Sequence, residues 1–236
     1  MLNNAWIALI ITFALALMWL RVNDFIAHRG WVSSPVSRKI IHMGTGPIFV
    51  LCWLLFPEVQ YARYLAALVP LGITAQFLLV GLGAIKDQAS VDAMSRNGDP
   101  REILKGPLYY GLVFVVLALL YWRDSMVGIV ALMLLCGGDG LADIMGKKMG
   151  KMRIPWSKEK LIQGSIVMFV GGWTMTLGVL FVYIRSGIFD VAFGSLLAPV
   201  TLIALVGTLM EALPFKNIDN ITVPTLAVVL GNFLLL

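Results

Sequence analysis

Residues 126–145 read MVGIVALMLLCGGDGLADIM. The first thirteen carry no charge; Asp139 and Asp143 then arrive four positions apart, with Gly137, Gly138 and Gly140 around them. A run of about 20 residues that is mostly apolar has the length of a bilayer-crossing helix. On a helix the two carboxylates share one face, where their charges repel. A divalent cation reverses that repulsion, and Mg²⁺ is commonly held by one or two carboxylates together with substrate phosphates. The glycines leave room for a backbone or a phosphate to approach closely. An ionisable residue at the end of an apolar span is a functional signal by default.

Six cations follow within fourteen residues: Lys147, Lys148, Lys151, Arg153, Lys158 and Lys160, with Gly164 and Ser165 just beyond. An acid pair beside a basic, glycine-containing loop suits a nucleoside triphosphate, with metal on the acids and phosphate oxygens on Lys and Arg. Taken alone, the same cations would mark only the inner side of a membrane.

Seven further apolar blocks flank this one. The eight are Ala5–Leu20, Ile40–Phe56, Tyr64–Ala84, Leu108–Trp122, Met126–Met145, Leu161–Ile184, Val191–Leu213 and Ile221–Leu236. Over all 236 residues, 59% are hydrophobic and 13% charged, against roughly 45–50% and 25% in soluble domains. Mean hydropathy is +0.88. This excludes a soluble enzyme, a disordered chain and a disulfide scaffold; the short alternating strands of a β-barrel are absent. Cys52 and Cys136 lie in apolar blocks and form neither a zinc nor a redox motif. The expectation is an all-α, polytopic integral membrane protein. It has about eight transmembrane helices, or seven because the fourth and eighth blocks are short, in one domain over 1–236. The first block has no basic leader and no small-x-small site after it, which suits a retained anchor rather than a signal peptide.

Eight spans put 15 of the 18 basic residues on one side, leaving Arg63, Arg123 and Arg185 on the other. By the positive-inside rule the crowded side is cytoplasmic, or stromal in a plastid, and both termini lie outside. Ten of the 13 acidic residues fall on that same side, which chemistry on that face would explain, as would the greater length of those loops. The net charge of +5 reads as topology and an anion site, with no nucleic-acid partner.

Three other clusters lie at the same face. In Arg38-Lys39-Ile40-Ile41-His42, Arg38 and His42 are four apart. In Gly98–Tyr110, Asp99-Pro100 reads as a cap followed by Pro at the first helical position, after which Arg101 and Lys105 share a face. Glu211 ends a long apolar run, and Asp219-Asn220 stands before Thr222-Val223-Pro224 as a cap for the last span. No Gly-x4-Gly-Lys-Ser/Thr loop or soluble-kinase motif set is present.

RKIIHMGTG at 38–46, GDPREILKGPLYY at 98–110, CGGDGLADIMGKKMG at 136–150, GSIVMF at 164–169 and EALPFKNIDNITVP at 211–224, in this order, resemble the CTP-dependent polyprenol kinases, phytol kinases above all. The resemblance implies phosphoryl transfer from CTP to a long-chain isoprenoid alcohol at the membrane face. It departs at Lys160-Leu161, at Ile218-Asp219-Asn220 and at Lys105, where related sequences carry Lys-Ser, Asp-Asp-Asn and Arg.

On that resemblance Asp139 and Asp143 hold Mg²⁺, Asp139 also accepting the hydroxyl proton, and Glu211 is a second candidate ligand or base. Lys147, Lys148, Lys151, Arg153 and Lys160 are candidates for the triphosphate. Arg38, His42, Arg101 and Lys105 are candidates for the transferred phosphoryl group or the leaving diphosphate. Lys39, Gly138, Gly140, Gly164, Ser165, Asp219 and Asn220 complete the expected nucleotide contacts. The partners are CTP, the isoprenoid alcohol and the lipid bilayer. A CTP-using lipid cytidylyltransferase and a non-enzymatic lipid-binding or transport protein are the rival readings.

Overall fold

In the computed structural model every residue is described except Arg96, Gly150, Lys151, residues 214–217 and Leu236; for residues 139–149, Lys158 and Glu159 the backbone alone is described. Each of the eight apolar blocks falls on a helix. These are α1 (Ala5–His28), α2 (Ser34–Cys52), α3 (Ala62–Gly81), α5 (Gly106–Leu120), α6 (Met126–Met149), α7 (Ile162–Arg185), α8 (Leu197–Glu211) and α9 (Asp219–Leu234). The short α4 (Gln88–Met94) was not anticipated. Among the described residues, five stretches are long and apolar enough to cross a membrane: Ala5–His28, Ala62–Gly81, Pro100–Leu120, Ile162–Arg185 and Phe193–Glu211. Arg38, Lys39 and His42 lower the hydropathy of α2, and α9 has 16 residues; in α6 the described side chains form a shorter apolar stretch, Met126–Gly138. The chain is a helical membrane protein.

It divides into two compact units, Met1–Leu120 and Tyr121–Leu236. In the first, the Asn4 side chain caps α1 by accepting from the Trp6 N–H at 2.8 Å. The helix does not stop at Leu20 as its hydropathy suggests. It runs on to His28 because its polar end is partnered. Arg21 reaches Asp24 at 3.3 Å and Asp87 at 3.0 Å, and His28 meets Asp92 at 3.0 Å. The Trp19 indole N–H donates to the Ile41 carbonyl on α2, 3.3 Å away. Leu20, Ile41, Phe77, Val91, Met94 and Ile103 form one buried cluster, so α4 is a wedge among α1, α2 and α3. Gly111 lets α5 close on Thr74 of α3 where no Cβ would fit.

Asp99 does cap a helix, accepting from the Arg101 N–H at 2.9 Å, but the helix over Pro100–Leu104 is a 3₁₀ helix. With three residues per turn, positions four apart do not align. The expected shared face of Arg101 and Lys105 is therefore corrected.

In the second unit α6 is the central rod. Residues 127–138 are buried on every side, as a helix apolar all round should be. α7 lies against it through glycines. A Cβ at Gly137 would stand 2.8 Å from the Gly171 carbonyl, and one at Gly138 3.2 Å from the Met168 carbonyl. α8 joins α7 through the Trp173 indole N–H and Thr201 hydroxyl at 2.9 Å, and α9 meets α6 where Gly231 faces Val127. The buried hydroxyls of Thr176 and Thr208 donate to carbonyls four residues back, which settles them inside apolar helices.

One element amends the all-α expectation. β1 (Arg153–Ile154) pairs antiparallel with β2 (Ser157–Leu161) around Pro155-Trp156. Pro155 cannot continue a helix, and this stretch has no helical apolar stripe, so the chain between α6 and α7 takes a two-stranded form instead.

Candidate active site

α6 is continuous through the acidic run, so Asp139 and Asp143 stand one turn apart, about 6 Å along the axis. Gly138 faces Met168 and Leu134 faces Gly172. Continuing that antiparallel register puts Asp143 level with Gln163, next to Gly164, at the start of α7. Two of the glycines before the acids thus have a packing reason: at Gly137 and Gly138 the close approach is made by the backbone of α7.

The same end of this unit gathers more of the expected residues. Lys160 on β2, two residues before α7, pairs with Glu211 at the last position of α8. The Glu211 side chain is 6% exposed and that of Lys160 27%. In the α8–α9 pair Gly207 faces Val223, and the same register brings Asp219 level with Glu211. Asp219 and Asn220 do not cap α9 from outside, as expected. They are its first two residues, following Ile218, and the Asn220 N–H donates to the Asp219 carboxylate at 3.1 Å. A carboxylate in the first turn favours the positive end of the helix dipole. Arg153 is exposed on β1. Lys147 and Lys148 are backbone positions on the last turn of α6, and Lys151 lies outside the described residues.

Among the described residues no three His, Cys, Asp or Glu side chains group as a metal site. The side chains of Asp139 and Asp143 fall outside that description. As donors, two carboxylates one helical turn apart are hard oxygen ligands of the kind Mg²⁺ takes, so the residues fit the ion.

In the first unit the structure joins two clusters that the sequence kept apart. The Tyr110 hydroxyl donates to the His42 carbonyl at 2.7 Å, and the two rings lie 4.1 Å apart between centroids. Arg38 and His42 sit one turn apart on α2, as their spacing requires, and Lys39 is buried. Below Arg101, Ile103 is fully buried, and Gly81 admits Leu104, which a Cβ there would meet at 2.5 Å. Those contacts seat the 3₁₀ turn on α3.

Sequence reasoning missed three features. The contact of Tyr110 with His42 spans 68 positions, beyond the reach of any local spacing. The pairing of Lys160 with Glu211 crosses 51 positions, and no local spacing could announce it. The network around Asp87 was also missed. Its carboxylate takes the Ser90 hydroxyl at 2.8 Å, the Ser90 N–H, Arg21, and Gln76 at 3.3 Å. Partial burial pushes the Asp87 carboxyl up, but the two Ser90 bonds and Arg21 outweigh it and hold it below the usual carboxylate range. The readable signal was Asp87 three residues ahead of Ser90, an N-cap spacing.

Compared with curated proteins, the chain is 38% identical over 217 residues to a probable chloroplastic phytol kinase 1 of Glycine max, covering 90% of this chain and 72% of that protein. The chain belongs to the phytol kinase family. A probable chloroplastic phytol kinase of Zea mays is 39% identical over 217 residues, 91% of this chain and 71% of its own length. Phytol kinase 1, chloroplastic, of Arabidopsis thaliana is 36% identical over 213 residues, 89% and 70%. No family model matches the chain, and no solved structure does. As a phytol kinase family member it is a kinase. The nucleotide and divalent metal that phosphoryl transfer calls for find their candidate groups at the end of the second unit where α6, α7, β2 and α8 present Asp143, Gly164, Lys160 and Glu211.

Proposed function

We propose that the chain transfers the γ-phosphoryl group of CTP to phytol or a similar isoprenoid alcohol, with residues 1–236 acting as one kinase domain. The similarity to phytol kinases over about 90% of the chain carries this reading. The chain crosses the membrane eight times, with its basic loops in the cytoplasm or, in a plastid, the stroma. The folding of all eight blocks as helices and the one-sided basic residues support that topology.

The alcohol keeps its tail in the bilayer while the nucleotide stays in water, so the reaction belongs at the interface. Asp139 and Asp143 hold Mg²⁺, which when bound offsets the negative charge of the phosphates. Lys147, Lys148, Lys151 and Arg153 bind phosphate oxygens, with Gly140, Gly164, Ser165 and Lys39 as further nucleotide contacts. Lys160 does so from a position fixed by Glu211. Arg38, His42, Arg101 and Lys105 hold phosphate charge on the transferred or leaving group. Asp139 takes the hydroxyl proton as the alcohol oxygen bonds to the γ-phosphorus and the bond to the leaving CDP breaks.

The test is CTP labelled in its γ-phosphate, given with phytol to the purified chain in nanodiscs. Label in the lipid supports the reading. Cytidine in the lipid would instead make the chain a cytidylyltransferase, and no lipid product would leave it without this activity.

A further inference from the structure

Pro47 lies inside α2. It has no N–H, so the helix cannot close its usual bond to the Met43 carbonyl, and the proline ring crowds that turn. The two carbonyls just before the gap each accept from a side chain outside the helix. Ile41 takes the Trp19 indole N–H of α1 at 3.3 Å, and His42 takes the Tyr110 hydroxyl of α5 at 2.7 Å. A carbonyl has two lone pairs, so each can accept such a bond beside a helical one. The turn that carries His42 is therefore pinned from both flanks at the place where proline weakens its own ladder.

Tyr110 does more than donate. Its ring lies 4.1 Å from the half-buried His42 imidazole, between centroids. Behind it stands Phe114, 4.6 Å away and one turn on along α5, and Phe114 rests on Phe49 at 5.8 Å. His42 and Phe49 are seven apart on α2 and so share a face, which packs on the face of Tyr110 and Phe114. Next to Tyr110, Gly111 seats the α5 backbone on Thr74 of α3, where a Cβ would not fit. Both the phenol and the backbone that carries it are thus held by packing.

We propose that Tyr110 is a positioning residue for His42: its hydroxyl fixes the backbone and its ring the imidazole, so that His42 meets phosphate charge from one place. The inference rests on the kinase reading above and gives the Gly-Pro-Leu-Tyr-Tyr stretch a task in it. Phosphoryl transfer depends mostly on positioning and charge, and a group on a proline-broken helix needs its place supplied from outside. A phenylalanine would pack on Phe114 equally well; the hydroxyl on the His42 carbonyl is what it would lack.

Tyr110→Phe keeps the ring and removes the donor. It is expected to lower kcat/KM for CTP about two- to tenfold, the worth of one net hydrogen bond, with the unfolding temperature near that of the parent. In a His42→Gln background the same change should alter kcat/KM by less than about twofold, because the residue through which Tyr110 acts is gone. An equal fall in both backgrounds, or a parent-level value in Tyr110→Phe, overturns the proposal. A second measurement needs no turnover. The chain has two histidines, His28 and His42, so in a histidine-labelled sample in nanodiscs the NMR signal that survives His28→Gln belongs to His42. Inorganic pyrophosphate with Mg²⁺ should shift that signal in the parent, less in Tyr110→Phe and least in Tyr110→Leu. A His42 signal that ignores pyrophosphate in the parent, or responds alike in all three, overturns the proposal. The labelled-CTP assay stands apart: if no label reaches an alcohol the kinase reading falls, and the histidine signal still reports whether Tyr110 governs how His42 meets phosphate.

Discussion

The ammonium of Lys160 is paired with the Glu211 carboxylate, joining the strand that leads into α7 to the last turn of α8. Glu211 is nearly buried, and breaking a buried ion pair by removing one member is destabilising because the remaining charge loses part of its compensation. Lys160→Met alone should therefore lower the unfolding temperature sharply in detergent. Lys160→Met with Glu211→Leu should recover most of that loss, because neither charge is left alone. If the pair also serves the nucleotide, the stable double variant will still bind CTP weakly. Full CTP affinity in that variant would reduce the pair to a structural tie.

Asp139 and Asp143 share a face of α6 one turn apart, an arrangement that two bare carboxylates resist. Asp139→Asn and Asp143→Asn keep shape and remove charge. Each should abolish most turnover while the protein still inserts and elutes as the parent does. Asn is a weaker Mg²⁺ ligand, so raised Mg²⁺ or Mn²⁺ should partly restore Asp143→Asn. It should not restore Asp139→Asn, where the proton acceptor is also lost. Turnover of the parent protein in excess EDTA, or parent-level rates in either variant, would remove the metal from this scheme.

The helices were legible because bilayer spans are written as long apolar runs, and the acids of α6 stood out against that background. Their ends were less legible. Hydropathy alone stopped α1 at Leu20, whereas Arg21, Asp24 and His28 continue it because Asp87, Ser90 and Asp92, which lie 66, 66 and 64 positions away, supply their partners. The hairpin after α6 was hidden because its basic residues read equally as a topology loop. In the candidate site, i,i+4 spacing was sound for Arg38 and His42 on an α-helix. It failed for Arg101 and Lys105, where Pro100 opens a 3₁₀ turn. The joining of His42 to Tyr110 depended on packing across 68 positions.

Lys147→Ala and Arg153→Ala each remove one cation from the expected triphosphate contacts. A hydrogen bond to a charged group contributes roughly 1.5–3 kcal/mol. KM for CTP should rise about tenfold or more, with KM for the alcohol little changed. Normal CTP binding in both variants would leave the loop as a topology signal.

Asp87 ties α4 to α1 through Ser90 and Arg21, and its carboxyl is held below the usual range. A carboxyl with a depressed folded-state pKa stabilises the fold above its unfolded value, near 3.9, and loses that contribution as pH falls through the folded one. Asp87→Asn should therefore lower the unfolding temperature at pH 7 by the equivalent of about 1–3 kcal/mol. The gap between variant and parent should close below about pH 4. A gap that persists unchanged in acid would mean the charge of Asp87 contributes nothing to the seat of α4.

Gly137, Gly138 and Gly140 look alike in sequence; the structure gives the first two a neighbour on α7, and the surroundings of Gly140 lie outside the described residues. A Cβ at Gly137 would press on the Gly171 carbonyl at 2.8 Å, and one at Gly138 on Met168, at 2.8 Å from its Cγ and 3.2 Å from its carbonyl. Backbone cannot move aside as a flexible side chain can, and overpacking of this kind costs about 1–3 kcal/mol. Gly137→Ala should therefore lower thermal stability most and Gly138→Ala somewhat less, and the folded fraction of each should keep the parent KM for CTP. Gly140→Ala separates the two uses of glycine in this run. If Gly140 is where a phosphate comes close, its variant should raise the CTP KM with little loss of stability. Thermal unfolding and CTP kinetics on the three variants decide it: a raised CTP KM in Gly138→Ala at parent stability would return that glycine to the nucleotide, against the packing seen between α6 and α7.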